Sequence, residues 1–417
     1  MTAPKLRFKE FDANWSLSSL GKMTTYFKGY AFKSESYKDS GIRVIRVSDL
    51  GRESIKTDND SIYIDANNAS AYENWIIKKD DIIITTVGSK PHLVDSAVGR
   101  PIYVKNNNEG LLNQNLLVLR PIDETVDSYF IYAQLLDKKY LTHIELIQRG
   151  NANQSNITVK DLQDFETYIT SKKEQTKIAS FLSAVDEKIS QLTQKHQLLS
   201  RYKQGMMQKL FSQQIRFKAD DGSEFGEWGI TSIKDAVSFI KDGTHGTHQD
   251  DPSSNLFLLS AKNLQNGKIV IDEKDRKINQ KEFDSIYKNY NLKDGDILLS
   301  VVGTIGRVAI FKDYYESYAF QRSVAFMRFK KALPEFIYQL FLAKDFQNEL
   351  LVRQVVSAQP GIYLGDLSKI EIKLPCLAEQ TKIANFLSAI DQKIEVVAQQ
   401  IKQAKQWKKG LLQQMFV

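Results

Sequence analysis

The sixteen residues EQTKIASFLSAVDEKI, from Glu174 to Ile189, return as EQTKIANFLSAIDQKI from Glu379 to Ile394, with thirteen positions identical. The offset of 205 is close to half of the 417-residue chain. A chain of this length exceeds what one hydrophobic core organises, so two domains are expected. In the first copy Ile178, Leu182, Val185, Ile189, Leu192, His196, Leu199, Lys203, Met206 and Leu210 advance by alternating steps of four and three. Ile383, Leu387, Ile390, Ile394, Val397, Ile401, Ala404, Lys408, Leu411 and Met415 do the same in the second. Such steps make a heptad seam. A helix from about Glu174 to Phe211 would span roughly 57 Å. It cannot stand alone, and two matched copies in one chain are expected to pair as a coiled-coil spacer. Each seam carries a lysine, Lys203 or Lys408, preceded by Tyr202 or Trp407. The aromatic ring is expected to cover the seam while the lysine snorkels outward.

The segments before the helices have another rhythm. IRVIRVSDL (Ile42 to Leu50), DIIITTVG (Asp81 to Gly88) and LLVLRP (Leu116 to Pro121) are short β-branched runs bounded by turn residues, and read as strands. LFLLSAKNL (Leu256 to Leu264), GDILLSVVG (Gly295 to Gly303) and SVAFMRF (Ser323 to Phe329) follow in the same order in the second half. Helical patterns come next in each half, at SYFIYAQLLDKKYLTHIELIQ and PEFIYQLFLAKDFQNELLVRQ. The fold class is therefore α+β, with two similar mixed α/β domains, each followed by a long helix. The expected boundaries are 1–171 and 214–377 for the two heads and 172–213 and 378–417 for the helices. Between the heads only landmarks agree: Trp15 with Trp228, Asp81 with Asp296, Gln154 with Gln359, and Asp161-Leu162 with Asp366-Leu367. Matched spacers with divergent heads suit a chain that presents two different binding surfaces.

The net charge of +7 favours a polyanionic partner, but its distribution is uneven. The segment from Lys172 to Lys218 carries +7 and that from Glu379 to Val417 carries +3, leaving −3 for the rest. Heads that bind DNA must then gather their cations on one face. Cys376 is the only cysteine, which excludes an internal disulfide framework. No apolar run approaches ~18 residues, and the start lacks the apolar core of a secretory signal, so a cytoplasmic protein is expected.

Catalytic motifs are scarce. VGTIGR (Val302 to Arg307) lacks the GK[ST] ending of a phosphate-binding loop, and neither GxGxxG nor an Asn/Asp-Pro-Pro-Tyr motif occurs. His245 and His248 lie beside Asp250 and Asp251 in a glycine-containing loop, without the third ligand on a defined helix that a zinc site would need. Asp251 with Asp275-Arg276-Lys277 loosely imitates a nuclease, but the stretch reads more simply as a solvated charged loop. No catalytic, cofactor-binding or metal-ligating residue is assigned. What remains are groups suited to reading base edges, where Asn and Gln match adenine and Arg and Lys match guanine. Gln114, Asn115, Gln154, Asn156, Gln321, Arg322 and Gln359 are the polar candidates. Ser89, Lys90, Arg100, Thr304 and Arg307 lie in or near the glycine turns. Lys28, Lys33 and Arg46 in the first half, and Thr244, His245, His248, Lys262 and Tyr363 in the second, complete the candidate DNA contacts.

The chain resembles the specificity subunit of type I restriction-modification systems over its whole length. The resemblance rests on the two EQTKIA-FLSA-D-KI segments, on QPGIYLGDLSKIEIKLPCLAEQ (Gln359 to Gln380) leading into the second, and on the paired GDIL-type glycine turns. In the first half SKKEQ replaces LPCLAEQ and lacks its proline. The resemblance implies two target-recognition domains that each read half of a bipartite DNA site, with two helices, expected antiparallel, setting the unread gap. It implies two methyltransferase subunits carrying S-adenosylmethionine, and two motor-nuclease subunits using ATP and Mg. The seam residues Ile178, Leu182, Val185, Ile189, Ile383, Leu387, Ile390 and Ile394 are the expected spacer and docking positions. A structural scaffold without base reading, or a stand-alone methyltransferase or nuclease, are the competing expectations.

Overall fold

The computed structural model describes residues 3–57, 59–93, 97–150, 154–355 and 360–417. The chain packs into two compact units, one formed by Met1–Thr193 with Gln399–Val417 and the other by Gln194–Ala398. The long helices run over Lys172–Phe211 and Leu377–Met415. Each unit therefore holds one head, the start of the helix that follows it, and the end of the other helix. Sequence order, in which head and helix simply alternate, does not convey this division.

The first head is built on an antiparallel sheet in the order Thr24–Lys28, Leu116–Pro121, Ile82–Thr85, Pro101–Tyr103. The second repeats it as Val237–Asp242, Val324–Phe329, Ile297–Ser300, Val308–Ile310. The central strands carry unbroken apolar runs, such as Ile82–Ile84 and Leu116–Leu119, because both sheet faces are covered. Successive side chains point to opposite faces, so Ile82, Ile84, Leu117 and Leu119 enter one core while Ile83, Leu116 and Val118 enter another. In the second head Ile297, Leu299, Ala325 and Met327 face one core and Leu298, Val324 and Phe326 the other. A smaller sheet flanks each, with Ile42–Ile45 between Ile62–Ile64 and Leu111–Leu112, and Leu256–Leu259 between Lys277–Ile278 and Tyr318–Phe320. The helical stretches form Ser128–Gln134 and Lys138–Ile147, then Pro334–Leu342 and Lys344–Val352.

The opening Glu-Gln of each repeat is a joint between head and helix. Arg7 Nε donates to Glu174 Oε1 at 2.7 Å, and Trp15 Nε1 donates to the same oxygen at 3.3 Å. In the second unit Arg216 Nη2 and Trp228 Nε1 donate to Glu379 Oε2 at 2.7 and 3.1 Å. The next residue ties the helix to its head: Gln175 Oε1 accepts from Asp127 N at 2.9 Å, and Gln380 Oε1 accepts from Leu333 N at 2.9 Å. The absence of proline in the first joint changes none of these bonds.

Within the first unit Ile178, Leu182, Val185 and Ile189 share a core with Trp15, Phe130, Leu411, Leu412 and Met415. Within the second, Ile383, Leu387 and Ile390 share one with Met207, Leu210, Phe211, Trp228 and Phe336, with Ile394 packed against it. The two helix segments meet side by side in each unit, Phe181 against Trp407 in the first and Lys203 against Asp391 in the second. The seam lysines are not snorkelled into solvent. Lys203 Nζ lies 2.6 Å from Asp391 Oδ1, and Lys408 Nζ lies 2.5 Å from Asp186 Oδ1. Tyr202 and Trp407 are instead about half exposed, at 51% and 53%. An aspartate on the facing segment offers each ammonium a better partner than water beyond an aromatic rim.

Candidate nucleic-acid interface

Each reading surface starts from a pinned strand. Asp81 is buried, accepts from Lys78 N at 2.8 Å, and pairs with Arg120 Nε at 2.6 Å, while the Arg120 guanidinium covers the Phe27 ring. Asp296 repeats this with Lys293 N, Arg328 and Phe239. The pins fix the Ile82–Thr85 and Ile297–Ser300 strands, whose far ends carry the variable loops.

There the two heads share one backbone frame. In the first, Gly29 N donates to Leu116 O and Tyr30 N to Leu112 O, both at 2.9 Å, and Tyr30 bridges Asn113. In the second, Gly243 N donates to Val324 O at 3.0 Å and Thr244 N to Phe320 O at 2.9 Å, and Thr244 bridges Gln321. Thr86 N reaches Asn115 O, and Val301 N reaches Ser323 O, each at 2.9 Å. Val87 pairs with Asn156, and Val302 with Gly361. Position by position, Lys28 corresponds to Asp242, Tyr30 to Thr244, Asn113 to Gln321, Gln114 to Arg322, Ser89 to Thr304 and Asn156 to Gly361. The frame is common and the side chains are not.

In the first head this frame gathers Lys28, Gln114, Asn115, Ser89 and Asn156 at one end, with Gln154 exposed beside Ser155. Arg100 joins the same loop cluster through a bond from Nη2 to Leu93 O at 3.1 Å, and Lys90 O caps Leu93 N. Arg46 is engaged within the fold: it pairs with the buried Asp49 at 3.0 Å and donates to Asp60 O. Lys33 is exposed in the turn after Phe32.

In the second head a cavity of about 330 Å³ is lined by Asp242, His245, Arg322, Gly361 and Tyr363. His245 Nε2 lies 2.8 Å from Asp242 Oδ2, and His248 sits between Thr244 Oγ1, at 2.7 Å, and Glu282. Tyr363 is 68% exposed, and Thr304 follows Gly303, whose φ is +77°. Lys262 pairs with the buried Asp275 at 2.5 Å, and Arg307 Nη1 donates to Lys262 O at 3.1 Å. The salt bridge raises the Lys262 pKa; burial pushes the Asp275 carboxyl up, and its hydrogen bonds outweigh this to hold it low. Both cations thus have partners within the fold. Gln359 lies outside the described residues.

Sequence reading missed a cluster beside the first surface. Tyr30 packs on Trp75 with centroids 4.6 Å apart and on Phe32 and Tyr72 at 5.0 and 5.3 Å. The rings come from positions 45 residues apart, gathered by the Tyr30 and Ile76 bridges to Asn113 and Leu111, and no local pattern announces them. Asn113 was missed for the same reason.

The docking expectation for the seam residues needs correction. Ile178, Leu182, Val185, Ile189, Ile383, Leu387 and Ile390 are no more than 6% exposed. They hold the spacer together, and a partner can reach only other faces of the helices.

A sequence model for the type I restriction modification DNA specificity domain matches residues 13–201 and again 227–406. The chain belongs to this family. Its two specificity domains are similar to those of the type I restriction enzyme MjaVIII specificity subunit of Methanocaldococcus jannaschii, with 25% identity covering 81% of this chain and 78% of that one. The EcoBI specificity subunit of Escherichia coli is 24% identical, covering 94% of this chain and 82% of its own. Among solved structures, the S subunit of a type I restriction-modification system from M. genitalium matches the specificity-domain fold over 100% of this chain and 99% of that one, with a TM-score of 0.62 and 17% identity. A chain from a study of complex assembly and conformational transition in the type I system matches over 95% and 96%, with a TM-score of 0.52 and 15% identity. Among the described residues no helix is long and apolar enough to cross a membrane.

Proposed function

We propose that each specificity domain reads one half of a bipartite duplex DNA site, and that the paired helices set the unread gap between the halves. The observation that carries this is the shared frame bearing unlike side chains: Gln114 against Arg322, Tyr30 against Thr244, Lys28 against Asp242. A scaffold without base reading gives no reason to keep this backbone frame while its exposed polar side chains differ. In this reading the chain does no chemistry itself. Two methyltransferase subunits carrying S-adenosylmethionine dock on the helical region and modify adenine N6, and two motor-nuclease subunits with ATP and Mg join them, in the cytoplasm. The exposed Lys188, Lys195, Arg201, Lys402, Lys405 and Lys409 supply positive charge on the helices for DNA phosphates or acidic partner surfaces.

The test is to assemble the chain with its methyltransferase, expose DNA to the complex and sequence the methylated adenines. A two-part motif with a constant gap is the expected result. Methylation by the chain alone would favour the stand-alone enzyme, and assembly without sequence preference would favour the scaffold.

A further inference from the structure

The second head contains six arginines, and five of them are committed. Arg216 holds Glu379, Arg276 pairs with Asp250, Arg307 bonds to Lys262 O, Arg328 pins Asp296, and Arg353 pairs with Glu349. Arg322 alone has an exposed guanidinium with neither an ion pair nor a side-chain hydrogen bond among the described residues. Its backbone, by contrast, is held firmly: Arg322 N donates to Thr244 O at 3.0 Å, Gln321 N to Leu259 O at 2.8 Å, and Val324 N to Gln321 O at 3.1 Å. A fixed backbone carrying an unspent five-donor fork at a cavity is what bidentate base recognition requires.

The corresponding position of the first head carries Gln114, also exposed and also without a side-chain partner among the described residues. Its backbone is set by the Tyr30–Asn113 bridge and by Leu116 N donating to Asn113 O at 3.0 Å. An amide presents one donor and one acceptor side by side, which matches N6 and N7 of adenine; a guanidinium presents only donors, which match O6 and N7 of guanine.

We propose that Gln114 and Arg322 are equivalent base-reading residues, so that at one corresponding base pair of the two half-sites the first head selects adenine and the second selects guanine. This rests on the bipartite reading above and adds the base identity that it leaves open. A phosphate contact by Arg322 would weaken binding without changing the motif. A base contact changes one position and leaves the rest alone.

The experiment uses the full chain assembled with its methyltransferase, with the modified motif read by sequencing for the wild type, Arg322→Gln, Arg322→Lys and Gln114→Arg. For Arg322→Gln, one base pair of one half-site should lose its guanine requirement by roughly tenfold to a hundredfold and accept adenine, with the other half-site and the gap unchanged. Arg322→Lys, which keeps the charge and loses the fork, should relax the same position. Gln114→Arg should alter one position of the other half-site, towards guanine. An unchanged motif in Arg322→Gln and Arg322→Lys with only a uniform loss of activity would overturn the proposal, as would changes in both half-sites. If Arg322→Gln abolished modification, binding of its assembled complex to a half-site library would decide by the same criteria. Absence of a two-part motif in the wild type would instead refute the reading beneath it.

Discussion

Lys203 on the first long helix and Asp391 on the second are joined at 2.6 and 2.8 Å, and Asp391 also accepts from Gln339 Nε2 at 2.7 Å. The repeat offset produces the same arrangement for Lys408 and Asp186, where Tyr129 supplies the additional donor. Burial and the neighbouring Asp186 carboxylate push the Tyr129 phenol far above its usual range, so it remains a donor. A charged pair set into an apolar seam adds little stability but penalises every register that separates its members.

Removing one member of a pair should therefore cost more than replacing both. Lys203→Met alone is expected to destabilise the second unit by about 2 kcal/mol, between the values for exposed and fully buried pairs. The exchange Lys203→Asp with Asp391→Lys should recover part of that loss. Thermal or urea unfolding of the wild type, Lys203→Asp, Asp391→Lys and the double exchange measures the coupling, and additivity of the two single changes would show that the pair contributes nothing.

The Glu174 joint makes stability depend on pH. Burial raises the carboxyl's pKa, but hydrogen bonds from Arg7, Thr170 and Trp15 outweigh this and hold it below the usual range. The group stays ionised in the folded chain at pH values where the unfolded chain already binds a proton. Its contribution is therefore present above the ordinary glutamate pKa of about 4.3 and is lost as pH falls below it. Glu174→Gln should lower the melting temperature at pH 7 and flatten its decline between about pH 5 and pH 3. An unaltered slope would mean that other carboxylates govern acid unfolding.

Gly306 has φ of +88°, and a Cβ there would lie 2.2 Å from Gln347 Oε1. Gly306→Ala is expected to cost about 1–3 kcal/mol, through left-handed strain and displacement of the glutamine. Gln347→Ala should relieve only the steric share. Equal stability of wild type and Gly306→Ala in chemical unfolding would contradict this account.

One heptad inserted after Ser190 and one after Glu395 would keep the seam in register while adding about 10 Å of helix. That length corresponds to about three base pairs at 3.4 Å each. The methylated motif should show a longer gap and unchanged half-sites. A constant gap in a folded variant would remove the helices from the role of ruler.

Much of the framework was legible locally. The heptad steps predicted both long helices, and the apolar runs became strands at Ile82–Thr85 and Ile297–Ser300, because covered sheets demand apolar residues on both faces. The candidate site was legible only as residue types. Arg46, Lys262 and Arg307 have the chemistry of DNA contacts, but Asp49, Asp275 and the Lys262 carbonyl already engage them. Nothing in the neighbourhoods of Lys262 and Arg307 marks their commitments, since Asp275 lies 13 residues beyond Lys262 and Lys262 lies 45 residues before Arg307; only Asp49, three residues after Arg46, is a local signal.

The sequence by itself determined that there are two halves, that each carries a strand-rich head and a long helix, and that the helices share one register, because periodicity and repetition are local properties of the chain. Tertiary structure decided which polar groups are spent and which are free. It turned Glu174 and Glu379 into joints, paired Lys203 and Lys408 with aspartates, and left Gln114 and Arg322 unpartnered among the described residues, on one frame. The joints and the lysine–aspartate pairs depend on groups 163 to 222 residues apart meeting within about 3 Å, at the range where hydrogen bonds form and where no sequence spacing reaches.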